Sequence, residues 1–447
     1  MYATARPLEL HLLDYTIPLH PRRLARTAVA EVKSMPVALQ AWFGFLFAIL
    51  AVAVVAAAVS IPPGWEVFGT TPSFEWGLMI IGYVFFAIMT SGLCLSSSLG
   101  TVFGIERFLP FEKRHAVLAI LSLLTAFLII ALDLHYPVRM VFGAMLVPSP
   151  SSPMWWMGVF YGAYLVVLIV EVWSMFTDHP KIHQYACTIA SVIAILAPGT
   201  LGAVFGVVGA KAYWNGIFTP IQMVITAFLA GSALLGIVFY LIHRLRLADW
   251  KIAATIALPS VRVLMAVGLV AVSALLVRQV AVGLMGDVRG LREATLALVA
   301  GPLADLFWAR ILLGLFIPAL LIAAPLAKTH PAMTFSASIL VLFGVLLDRY
   351  LFVVAGQIAP VGAGAGTLAY PYAHYAPTPT ELAIFAGAAA FMALGYTLAE
   401  RYLKMGEGDA HMFFPFPWIK KHHDHDEEDH EGHADAPAAV ATPEVLA

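Results

Sequence analysis

Ten runs of apolar residues, each long enough to cross a bilayer, dictate what this chain can become. A window of about twenty residues places them near Trp42 to Ser60, Gly77 to Phe103, Ala116 to Tyr136, Trp155 to Phe176 and Tyr185 to Val208. The remaining five lie near Pro220 to His243, Pro259 to Leu284, Thr295 to Ala324, Ala332 to Ala355 and Glu381 to Leu403. Lipid cannot satisfy backbone N–H and C=O groups, so each run must close its own hydrogen bonds as a helix. The expected fold is therefore an all-α integral membrane protein.

Composition agrees. Hydrophobic residues make up 61% of the chain and charged residues only 12%, about half of what a water-soluble domain carries. A net charge of −2 with no basic stripe excludes a nucleic-acid partner. Cys94 and Cys187 both lie inside apolar runs; two thiols cannot supply a cysteine-ligated iron–sulfur cluster, which takes four, and small buried side chains are the expected role.

Three domains are read: an N-terminal cytoplasmic segment (1–36), a polytopic region (37–405) and a tail (406–447). The N-terminal segment is polar and lacks the apolar core of a cleavable signal peptide. The tail alternates His422, His423, His425, His430 and His433 with acids, a composition that predicts disorder and at most loose metal binding.

Lys and Arg set the orientation. Arg22, Arg23, Arg26 and Lys33 precede the first span; Arg107, Lys113 and Arg114 follow the second; Arg244, Arg246 and Lys251 follow the sixth. The alternate loops are poorer, apart from Arg289 and Arg292 after the seventh span, so both termini are expected on the cytoplasmic side. Ser91-Gly92 in span two is echoed by Gly231-Ser232 in span six, which reads either as a parallel repeat of spans 2–5 and 6–9 or as plain close packing of helices.

Ionisable groups at membrane depth are costly and default to a functional reading, with structural ion pairs as the plain alternative. Asp133, His135, Arg139, Arg278, Asp305, Arg310, Asp348 and Arg349 fall in the outer half, while Glu171 lies near the inner face. Asp348 and Arg349 are sequence neighbours, which points them to different helix faces and to separate partners. Acids at several depths suit proton movement, with Glu171, Asp305, Arg310, Asp348 and Arg349 as the candidate path. No histidine lies mid-span, so haem in the bilayer is not expected, and no metal site is expected in the spans. Phosphate-loop, dinucleotide and zinc-protease motifs are also missing, which leaves proton transfer, ligand binding or transport.

Asp133-Leu134-x-x-Pro137-x-Arg139, followed by Ser152-Pro153-Met154-x-Trp156, resembles the signature of the NrfD/PsrC family, the membrane subunits of polysulfide reductase-like and alternative complex III-like assemblies. Trp76-Gly77, Ser91-Gly92, Lys211-Ala212-Tyr213-Trp214-Asn215 with Pro220, Asp348-Arg349-Tyr350, Gly356-Gln357 and Pro379-Thr380-Glu381 extend the likeness from about Trp42 to Leu403. The pattern departs from the family at His135-Tyr136, where Gly-Arg is usual. The resemblance implies ten helices, with two four-helix bundles (spans 2–5 and 6–9) flanked by spans 1 and 10. It further implies a quinone, menaquinone or ubiquinone, near the outer surface of a bacterial inner membrane. A periplasmic-side ferredoxin-like iron–sulfur subunit and a molybdopterin or multihaem cytochrome c subunit would be the partners, and this chain would carry no haem or cluster of its own.

On that reading the quinone-binding residues are His135, Asp133, Arg139, Trp76, Ser91, Gly92 and Tyr161. His135 is the natural proton donor, because an imidazole titrates near neutrality. A proton-coupled secondary transporter is the alternative, and a structural anchor for peripheral subunits a third; helices broken at matching midplane positions in both halves would mark the transporter.

Overall fold

The computed structural model describes residues 9–12, 15–18, 35–60, 67–72, 74–134, 147–177, 179–247, 249–286, 288, 290–358, 374–403 and 405. An antiparallel pair, β1 (Glu9–Leu12) and β2 (Tyr15–Pro18), lies in the N-terminal segment. The other regular elements among the described residues are helical. The spans are α1 (Val37–Ser60), α2 (Leu78–Thr101), α3 (Glu112–Asp133), α4 (Pro153–Phe176) and α5 (Pro180–Gly206). They continue as α6 (Phe218–Leu245), α7 (Trp250–Met285), α9 (Ala304–Ala323), α10 (Pro331–Ile358) and α11 (Pro379–Tyr402), with a short α8 (Leu291–Val299) before α9. These ten long helices make the chain a multi-pass membrane protein, as the apolar runs require.

One boundary differs from the sequence expectation. The eighth run, read as continuous from Thr295 to Ala324, breaks between Val299 and Ala304. Gly301-Pro302 explains the break: proline disfavours helix in the residue before it, and glycine costs the most entropy to order. Within α7 and α9 the turns Ala253–Ala257 and Arg310–Phe316 are π-helical, each just ahead of a proline, Pro259 and Pro318. The wider turn absorbs the hydrogen bond and the space that proline takes from a helix interior.

Helices α2 and α6 form the middle. α2 packs on α3, α5 and α6, and α6 on α2, α5, α7 and α10. Around them, α4 lies on α3 and α5, α9 on α10, and α1 pairs with α11 beside α3. The burial gradient matches: the central window of α2 is 89% buried and that of α1 only 17%. Phe45, Phe47, Val52, Val54 and Val55 of α1 are exposed, which suits a surface facing hydrocarbon rather than water.

Small residues make the crossings. A Cβ on Gly92 would collide with the Ala227 carbonyl, and one on Gly231 with the Gly92 backbone. The two glycines therefore meet face to face where α2 crosses α6. Gly314 and Gly344 do the same for α9 and α10, and Gly387 admits Ala53 between α11 and α1. The echo between the Ser91-Gly92 and Gly231-Ser232 segments thus has a packing cause, since the two segments touch.

Gly92→Ala is expected to destabilise the folded chain by about 1–3 kcal/mol through overpacking at this crossing. Gly199→Ala, where nothing lies within 4 Å of the added carbon, is expected to leave stability equal or slightly higher. Thermal unfolding of both variants in nanodiscs measures the contrast.

Candidate functional site

Three scattered sequence matches meet in one knot at the end of the molecule where α3 finishes. Trp76 stacks on Trp214 with ring centres 5.0 Å apart and meets the edge of Phe205 at 5.1 Å. Gln357 clamps its backbone, accepting from the Trp76 N–H and donating to its carbonyl, both at 3.0 Å. Trp214 donates its indole N–H to the Phe352 carbonyl at 2.8 Å, and Gly356 leaves room for that indole. Trp76 is thereby packed between the two halves of the chain.

Beside the knot, Glu381 sits fully buried in the first turn of α11. Its carboxylate accepts from the backbone N–H groups of Gly69 (3.1 Å), Leu78 (3.3 Å) and Thr378 (2.8 Å), and from the Tyr375 hydroxyl at 2.8 Å. Burial and the neighbouring Glu381 charge hold the Tyr375 phenol well above its ordinary pKa, so it remains a donor. Half-buried Asp133, the last residue of α3, lies within the electrostatic reach of Glu381. His135 and Arg139, the centre of the sequence-based site, lie outside the described residues.

From this end a file of polar side chains descends through α2, α4 and α5. Tyr83 and Tyr161 have ring centres 6.4 Å apart, and the Tyr161 hydroxyl is set beside Ser91. One turn lower Tyr164 adjoins Cys94, and two turns below that Glu171 adjoins Cys187. Cys187 and His183, one turn apart on α5, both reach Glu112 at the start of α3, with His183 Nε2 2.7 Å and Cys187 Sγ 3.6 Å from its carboxylate. Within this file the hydroxyls of Ser91, Tyr161 and Tyr164 and one Glu171 oxygen are buried without a close hydrogen bond among the described residues, each set only loosely against its neighbour: Tyr161 against Ser91, Tyr164 against Cys94 and Glu171 against Cys187. Buried polar groups are rarely left so, and four in one line point to a role other than structure.

The donor atoms of Glu112, His183 and Cys187 lie within 4.8 Å of one another, a spacing that a divalent ion could also use. Both cysteines are free and buried. Where the sequence suggests only small apolar side chains, each touches a titratable neighbour. The His183-x-x-x-Cys187 spacing, one helical turn, is the signal in the sequence that links them. Glu381 is legible there only as the start of a span, because the capping box it forms with Thr378 is a common helix-end device.

A second buried group lies in the other half. Asp348 (α10) accepts from Arg310 (α9) and from its own neighbour Arg349. The expectation that Asp348 and Arg349 need separate partners is thus overturned: the guanidinium stem is long enough to fold back along its own helix. Arg349 is 0% exposed and Asp348 4%, so two cations share one anion away from water. Asp305, expected on the same path, lies exposed in the first turn of α9 and joins neither group. Gly92 presents its open side to α6, while Ser91 beside it faces Tyr161.

The likeness to known proteins covers the same region. The model of the family described as polysulphide reductase, NrfD, matches residues 66–361. The chain is similar to the Hdr-like menaquinol oxidoreductase integral membrane subunit of Archaeoglobus fulgidus, at 24% identity over 298 residues covering 65% of this chain and 73% of that one. It is also similar to the C subunit of the selenate reductase of Mesobacillus selenatarsenatis, at 22% identity over 359 residues covering 71% and 82%.

Asp348→Asn would leave two buried guanidiniums without their anion, and is expected to cost about 3–5 kcal/mol. Adding Arg310→Gln should recover part of that loss, because one uncompensated charge goes with it. A double-mutant cycle on thermal unfolding in nanodiscs reads both effects.

Proposed function

The chain belongs to the polysulphide reductase NrfD family, and on that footing we propose that it is the quinone-binding membrane subunit of a respiratory oxidoreductase, with a proton route of its own. The observation that carries this reading is the file from Glu112 to Tyr83, whose buried hydroxyls and Glu171 oxygen are only loosely bonded to their neighbours among the described residues. Quinone chemistry couples electrons to protons, so a quinone oxygen needs a titratable group within hydrogen-bond reach and that group needs resupply. The relatives named for a menaquinol oxidoreductase and a selenate reductase fit such a role.

The quinone would enter at the Asp133 end. There His135 would exchange the proton, Asp133 would orient or charge-balance it, and Arg139 would hold the acid ionised. Trp76, Ser91, Gly92 and Tyr161 would line or back the ring. The residues suit the group: hydroxyl, carboxylate and indole surround the end of α3, and Tyr375 is kept as a donor close by. The quinone supplies the redox chemistry when bound; the protein's share is to position it and to move protons.

Protons would travel by Tyr83, Tyr161, Ser91, Tyr164, Glu171 and His183 toward Glu112, bridged by water or by side-chain rotation where no direct bond exists. Arg310 and Arg349 are guanidiniums, donors with no acceptor to pass a proton on. Around Asp348 they would therefore steer the potential of the path rather than carry protons along it. Electrons would leave to a ferredoxin-like iron–sulfur subunit docked on the outer face, and onward to a molybdopterin or multihaem partner. The bacterial inner membrane, with both termini cytoplasmic, is the setting that the loop charges favour.

The transporter reading would need matching helix breaks in both halves. The π-helical turns fall in α7 and α9, and α3 and α4, their counterparts in a parallel repeat, are regular throughout.

His135→Ala is expected to abolish quinol-dependent turnover of the assembled complex while its subunits stay together, as judged by pull-down; unchanged turnover removes His135 from the site. Glu171→Gln keeps the shape of the file but not its proton, and should slow turnover by about 10²-fold or more with KM for quinol little changed. A parallel loss of quinol affinity would mean that Glu171 shapes the pocket instead.

A further inference from the structure

Between the start of α6 and the last turns of α7 lies a cavity of about 240 Å³ that the quinone reading does not use. Its polar lining includes Asn215, Thr219, Gln222, Arg278 and Gln279, with the Tyr213 and Phe218 rings as walls. The guanidinium carbon of Arg278 lies over that ring, 3.1 Å from its centre, so its stem is held rather than free to snorkel. Among the described residues no carboxylate lies within ion-pairing distance of it.

Three further features have the same sign. Helix α6 begins here with no side-chain cap, so the positive end of its dipole lies at the same region. Gln279 reaches Tyr213, and Tyr213 in turn lies in the field of Arg310, Asp348 and Arg349. That trio carries two guanidiniums against one carboxylate. Arg278 thus adds a cation without an ion-pair partner among the described residues, linked through Gln279 and Tyr213 to a group that already carries net positive charge. Such an excess is expensive away from water and calls for an anion.

We propose that this cavity binds the phosphate of an anionic phospholipid, held by the Arg278 guanidinium with the Gln222 and Gln279 amides. A phosphodiester offers a spread negative charge and several acceptor oxygens, which match the fork of an arginine and the amide donors beside it. The carbonyl of a quinone would accept hydrogen bonds but leave the charge uncancelled. A lipid is favoured over a free ion by what surrounds the mouth: Ile217 is 73% exposed, Val277 69% and Val282 45%, an apolar border along which acyl chains can lie. The site is independent of the quinone assignment, since it shares no residue with it.

The test uses the full-length chain, with its copurifying partners, in nanodiscs of phosphatidylcholine alone or of phosphatidylcholine with phosphatidylglycerol. Lipid that survives detergent stripping is then counted by native mass spectrometry. Wild type is expected to retain phosphatidylglycerol in preference to phosphatidylcholine, and Arg278→Gln to weaken that retention by about tenfold or more. Arg278→Lys, which keeps the charge but loses the fork, should fall between them. Arg262→Gln, toward the other end of α7, should behave as wild type. If Arg278→Gln fails to accumulate, Gln222→Leu serves as the variant and should weaken retention in the same direction. Equal retention of the two lipids, or equal loss in Arg262→Gln, would overturn the site. Should inorganic phosphate added to phosphatidylcholine discs raise thermal stability as much as phosphatidylglycerol does, and only when Arg278 is present, the occupant is a free anion and the lipid assignment fails.

Discussion

The contact between the backbones of Gly92 and Gly231 sets the distance between the two halves of this protein. In lipid there is no hydrophobic gain from burying one apolar helix against another, so association depends on close packing and on buried polar contacts. Two glycines at one crossing let α2 and α6 approach to backbone contact, and the other helices are then arranged about that pair. Because α2 is surrounded on nearly every side, the polar side chains it carries cannot reach lipid headgroups or water. Ser91 must face a neighbouring helix, and the neighbour supplies Tyr161. The close crossing on one side of α2 and the polar file on the other are thus two consequences of one geometry, one residue apart in sequence.

Much of the fold was legible from hydropathy alone, because lipid leaves a chain so few options. Nine of the ten apolar runs form single helices with ends within a turn or two of expectation, apart from α7, whose helix begins earlier at Trp250. The tenth breaks at Gly301-Pro302, where local backbone chemistry outweighs apolar content. The buried charges were also recognisable as special, since their cost is independent of the fold. Their pairing was not. Asp348 and Arg349 are adjacent in sequence, and helix geometry alone separates them; side-chain length brings them together. Asp305 reads as membrane-embedded from its place in the run, and the broken helix leaves it exposed.

The site was less legible for a different reason. Cys94, Cys187, Tyr83 and Tyr164 are ordinary constituents of apolar helices, and nothing in their spacing reveals that they adjoin a carboxylate or a hydroxyl on another span. Their significance is a property of the juxtaposition. Glu381 shows the same limit from the other side: a first-turn acid is a familiar helix-capping residue, yet here one carboxylate joins donors of its own approach, Tyr375 and Thr378, to Gly69 and Leu78 some three hundred residues away. The short matches at Trp76, Trp214 and Gly356-Gln357 are weak singly. They gain weight because they close on each other in space.

The polar file of the first half collects groups that can give up or take on a proton: carboxyl, thiol, imidazole and phenol. The Asp348 group of the second half is dominated by guanidiniums, which cannot. A further buried guanidinium, Arg114 of α3, is neutralised locally by Asp249 and Glu400. A permanent charge placed beside a path alters the energy of every proton on it, and the effect extends further inside a membrane than in water because screening is weak there. Asp348 cancels one of the two cations it touches, and the Arg278 cavity is where a further anion would cancel another. On this arrangement the charge balance of the second half would bias a proton route in the first without any proton crossing between them. A lipid held at Arg278 would then act on turnover at a distance, through the field of its phosphate.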